Sequence, residues 1–60
     1  MTPRQHDTLE LLLKGLSNKE IAEELGLQVI TVKMHVRNVC SAYGVKTRFQ
    51  LMALFVHSLR

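Results

Sequence analysis

The chain has one cysteine, one proline and three glycines in 60 residues, and no acidic residue after Glu24. Each scarcity excludes something. Cys40 alone cannot form an internal disulfide or a cysteine-rich zinc site, and a single thiol suits a reducing cytoplasm. No apolar run approaches the ~20 residues that cross a bilayer. The first residues also lack the charged, apolar, small-residue order of a signal peptide. A cytoplasmic location with no membrane attachment is therefore expected. His6, His35 and His57 are too far apart in sequence for a local metal motif. The sequence offers no serine–histidine–acid set, phosphate loop or paired-carboxylate cleft, and so short a chain has little room for a substrate pocket. Neither catalysis, nor a cofactor, nor a bound metal is expected.

What remains is a small, mildly basic domain. With 47% hydrophobic residues, the chain can build one core over residues 1–60, close to the lower size limit for independent folding. Stability should be modest unless a second copy or a partner domain covers apolar surface. The net charge of +3 conceals an asymmetry. Residues 1–25 carry three cations (Arg4, Lys14, Lys19) against five acids (Asp7, Glu10, Glu20, Glu23, Glu24), a balance of −2. Residues 26–60 carry Lys33, Arg37, Lys46, Arg48 and Arg60 with no acid, a balance of +5. An uninterrupted cationic half points to nucleic acid as the default partner.

Three sites have the capping-box spacing of Ser or Thr followed three residues later by Glu or Gln: Thr2 and Gln5, Ser17 and Glu20, Thr47 and Gln50. Pro3 follows the first cap, where a missing N–H does no harm. Gly26 and Gly44 stand where a left-handed residue would close a helix, and Gly15 is expected to end or fray the first one. Periodicity agrees with these marks. Leu9, Leu12, Leu13 and Leu16 form one apolar stripe, and Ile21, Ala22 and Leu25 form a second. In the third segment Val32, Val36, Val39 and Tyr43 recur at helical spacing, leaving Lys33, Met34, Arg37, Asn38 and Ser41 outward. The expectation is an all-α domain with helices near 3–15, 18–25, 30–43 and 48–59.

The fourth helix is apolar all round from Leu51 to Val56, which a surface helix should not be. One side, through Met52, Phe55 or Val56, can pack on the domain, and the remainder needs a covering. A homodimer seam through Leu51, Leu54, Phe55 and Leu59 is preferred over burial within a larger parent protein.

The order Thr-Pro-Arg, Gly-Leu-Ser-Asn-Lys-Glu-Ile-Ala-Glu-Glu-Leu-Gly-Leu, Thr-Val-Lys-x-His-Val-x-Asn-Val and Tyr-Gly-Val closely resembles the LuxR-type helix-turn-helix domain. The likeness runs from Thr2 to about Leu54. It implies four helices, a helix-turn-helix over roughly 17–36, a third helix in the major groove of double-stranded DNA, and dimerisation through the fourth. It further implies base contacts from Lys33, Met34 and Arg37. Phosphate contacts would come from Asn18 and Lys19, from Thr31 and Asn38, and from Lys46, Thr47 and Arg48. A receiver domain, a sensor domain, or nothing can precede residue 1. The turn departs from the family by placing Gln28, Val29 and Ile30 where a polar cap and charged residues are usual, which should weaken the cap of the third helix.

Elementary chemistry supports those roles. Lys33 and Arg37, four residues apart, share one helical face. Arg pairs in bidentate fashion with guanine O6 and N7, Lys reaches the same acceptors, and Met34 suits a thymine methyl. Lys19 could instead pair with Glu23 one turn on. His35 and Cys40 border the buried stripe and are expected to pack. The expected function is sequence-specific DNA binding by a bacterial transcriptional regulator. The competing readings are a protein-interaction module, suggested by Val29, Ile30 and Met34, and a sigma-like promoter-reading domain.

Overall fold

The computed structural model describes residues 1–58, with side chains through Val56. Among these residues there are four helices and no strand: α1 (Pro3–Leu13), α2 (Asn18–Leu25), α3 (Val29–Ala42) and α4 (Arg48–Ser58). Two capping boxes close completely. The Thr2 hydroxyl accepts from the Gln5 N–H at 3.2 Å while Gln5 Oε1 accepts from the Thr2 N–H at 3.1 Å. Ser17 and Glu20 exchange the same pair of bonds at 3.2 and 2.8 Å. At α4 the expected box is altered. Thr47 accepts from the Gln50 N–H at 3.1 Å, but Gln50 Oε1 takes the Lys46 N–H at 2.8 Å instead of the Thr47 N–H. Gln28 begins α3 with no side-chain cap, in line with the weakened cap expected from Gln28, Val29 and Ile30.

The three turns are chemically alike. Gly15, Gly26 and Gly44 all have positive φ, and each is followed by an apolar residue whose N–H reaches back five positions. These bonds run from Leu16 to the Leu11 carbonyl, from Leu27 to Ala22 and from Val45 to Cys40. Leu16, Leu27 and Val45 then pack against the core, which is how this type of helix end combines a left-handed residue with an apolar seal. α1 ends at Leu13, somewhat before Gly15.

The core consists of Leu9 and Leu12 from α1, Ile21 and Ala22 from α2, Val32, Val39 and Cys40 from α3, and Leu51 from α4. α3 is the central rod, with α1, α2 and α4 all packed on it. Thr8 is the one buried polar residue among those described, and its hydroxyl donates to the Arg4 carbonyl at 2.9 Å. That bond removes the desolvation cost of an unmatched hydroxyl.

α4 corrects two expectations. Leu51, assigned to a dimer seam, is 0% exposed and anchors the helix in its own core. Val56, offered as a packing residue, is 54% exposed. A helix apolar on every side gives periodicity no phase, so the sequence could not say which flank turns inward. Phe55 is half-buried and meets Tyr43 edge-on, with ring centroids 5.4 Å apart, so it also serves its own domain. Leu54 is exposed, and Leu59 lies outside the described residues. No helix among the described residues is long and apolar enough to cross a membrane.

Candidate nucleic-acid interface

α3 buries Val32, Val39 and Cys40, and that fixes what its opposite side presents. Ile30, Lys33, Met34, Arg37 and Ser41 all lie exposed along the outward stripe. Because α3 is held by three other helices, its surface side chains project from a rigid support. Between α3 and the start of α4 lies an open groove of about 530 Å³, lined by Asn18, Lys33, Arg37, Lys46 and Arg48 over an apolar floor of Val36, Cys40 and Val45. No acidic residue lines it. Lys33, Arg37 and Lys46 make no ion pair or side-chain hydrogen bond among the described residues, and neither does Lys19, so the alternative pairing with Glu23 is not formed. Among the described residues, Arg4 pairs with Asp7 on α1, where the His6 imidazole also lies 3.6 Å from the Glu10 carboxylate.

Arg48 is different. Its guanidinium donates to Asn18 Oδ1 at 2.7 Å and to the Leu16 carbonyl at 2.9 Å. Two of its five N–H donors thereby tie the start of α4 to the start of α2 and to the turn between α1 and α2. The two residues expected to hold phosphate separately are one unit, with the Asn18 amide N–H₂ and the rest of the Arg48 fork left over. Sequence reasoning missed this bond because the partners are 30 residues apart. It also missed Thr8, since one threonine beside a leucine stripe carries no mark of its burial.

Of the other expected site residues, Lys19, Thr31, Asn38 and Thr47 do not line the groove. Thr31 is half-buried at the first turn of α3, Asn38 is exposed on its flank, and Thr47 caps α4 beside Lys46. Cys40 is a free thiol buried at the groove floor. His35 is half-buried, but its enclosed Nδ1 finds no hydrogen-bond partner among the described residues. Away from the groove, Asp7, Glu10 and Glu24 gather around a shallow cleft of about 180 Å³ between α1 and α2. Glu20, accepting from the Ser17 backbone N–H and then from its hydroxyl, has its carboxyl held below the usual range.

Two short helices joined by a glycine turn, the second central, braced and cationic outward, define a helix-turn-helix module. The chain belongs to the luxR family of bacterial regulatory proteins, whose family model matches residues 1–55. It is similar to the nitrate/nitrite response regulator protein NarL of Escherichia coli, 40% identical over 60 residues, which is 100% of this chain and 27% of that protein. The nitrate/nitrite response regulator protein NarP of the same organism is 41% identical over 56 residues, 93% of this chain and 26% of its own length. The transcriptional regulatory protein LiaR of Bacillus subtilis is 40% identical over 57 residues, 95% and 26% respectively. The chain thus spans about a quarter of the length of these curated relatives.

Proposed function

We propose that this chain is the DNA-binding domain of a bacterial transcriptional regulator and reads double-stranded DNA by setting α3 into the major groove. One observation carries the reading. Lys33 and Arg37 stand outward, unpaired, one turn apart on the helix that three others brace. From there they can address guanine O6 and N7, with Met34 between them against an apolar base edge. Lys19, Thr31, Asn38, Lys46 and Thr47, with the donors left on Asn18 and Arg48, hold the phosphates on either side and fix the register. The names of NarL and NarP as response regulators, and the quarter-length match, support a receiver or sensor domain in the same polypeptide.

The second copy belongs on α4. Phe49, Ala53 and Val56 are exposed at positions i, i+4 and i+7, a contiguous apolar strip with Leu54 on its flank. For two copies joined by such strips, half-sites about one helical turn apart are the expected arrangement. Selection of bound duplexes from a random pool tests binding, specificity and symmetry together. A two-fold motif with that spacing is expected. Equal retention of all duplexes, or tight capture of a protein with no duplex binding at low salt, would remove the assignment.

A further inference from the structure

Ile30 is the feature that the cationic reading leaves unused. It is the second residue of α3 and is 64% exposed, with Met34 one turn on at 61%. Together they make an apolar ridge about 6 Å long, beside Lys33 and in line with Arg37 two turns away. Resting on the proposed DNA reading, we infer that Ile30 and Met34 recognise the 5-methyl groups of major-groove pyrimidines, thymine or 5-methylcytosine, next to the bases addressed by Lys33 and Arg37.

The chemistry leaves few alternatives in the major groove. Aliphatic side chains have no atoms to pair with base nitrogens and oxygens, and covering those edges without a partner carries a desolvation cost. The pyrimidine C5-methyl is the one apolar group displayed there. When a helix-turn-helix docks, the N-terminal residues of its second helix approach the base edges, so Ile30 lies on the leading part of the rod. A ridge of about 6 Å covers roughly two base steps of ~3.4 Å each. The two residues differ in tolerance. Ile is β-branched and stiff at χ1, which ties it to one methyl position, whereas Met34 can follow a shifted one.

The test changes the DNA and not the protein. In a duplex taken from the selection, each thymine is replaced in turn by uracil, which keeps its pairing and loses only the methyl. Burial of one methyl-sized group is worth ~0.8 kcal/mol, so affinity should fall about fourfold at one or two positions per half-site. Methyl dependence at one position should vanish in Ile30→Ala and at its neighbour in Met34→Ala. Introducing 5-methylcytosine at those positions should bind tighter than cytosine. Uracil tolerated at every position, or a methyl penalty unchanged in the double variant, would overturn the inference while leaving specific DNA binding intact. No binding to any duplex would remove both.

Discussion

At the scale of single side chains, the proposed function gives Lys33 and Lys46, the same amino acid, different tasks set by their supports. Lys33 projects from the middle of the outward stripe of α3, while Lys46 stands at the rim of the groove just before the Thr47 cap. Lys33→Ala and Arg37→Ala are expected to lose ~1–3 kcal/mol of discrimination between selected and random duplex. Lys46→Ala should instead weaken both alike and reduce the log–log salt slope by about one. Anisotropy titrations over a range of salt separate the two behaviours, and uniform losses for all three variants would contradict the division of labour. Glu20 gives a residue-scale pH effect. Its carboxyl is held low by the Ser17 N–H, so the folded form binds a proton less readily than the unfolded chain. The cap therefore stabilises fully above the ordinary glutamate range and loses that contribution as pH falls through the lowered value. In Glu20→Gln, which keeps an acceptor without the charge, this part of the acid dependence of thermal melting should disappear.

At the scale of elements, the starts of α1, α2 and α4 and the close of α2 were readable because they are written within a few residues. Thr2, Ser17 and Thr47 all cap, and Gly26 closes α2 with left-handed φ. No atom lies within 4 Å of a Cβ built on Gly26, so a substitution there meets conformational strain and not a clash. Gly26→Ala should cost about 1–2 kcal/mol in denaturant midpoint with an unchanged m-value. The tie between Arg48, Asn18 and Leu16 was not readable, since nothing local marks partners so far apart in sequence. A charge-assisted hydrogen bond contributes about 1.5–3 kcal/mol. Arg48→Ala is therefore expected to lower stability by at least one such bond and to loosen the junction of α2 and α4, visible as faster amide exchange at the starts of both helices. Unchanged exchange there would show that packing alone holds the corner. The orientation of α4 was unreadable for the opposite reason: too much of its surface is apolar for any side to be singled out. The packing of Leu51, with Met52 and Phe55 half-buried against the same core, decides it.

At the scale of the whole molecule, 60 residues correspond to roughly 3–9 kcal/mol of total stability. Leu51→Ala removes a fully buried side chain shared by α4 and the core, at a cost of ~2–5 kcal/mol. That is comparable with the total, so the variant should be largely unfolded by circular dichroism at room temperature. Val56→Ser, on the exposed strip, should leave the melting of dilute protein nearly unchanged and weaken self-association in sedimentation. If Val56→Ser unfolded the domain and Leu51→Ala did not, the inward side of α4 would have to be reassigned.

The carboxylates collected between α1 and α2 and the unpaired cations lining the groove of α3 and α4 make the particle electrically lopsided. Near a polyanion such a body experiences a torque before it touches anything. The acidic cleft is repelled and the cationic groove drawn in, which under the proposed function favours encounters that begin groove-first.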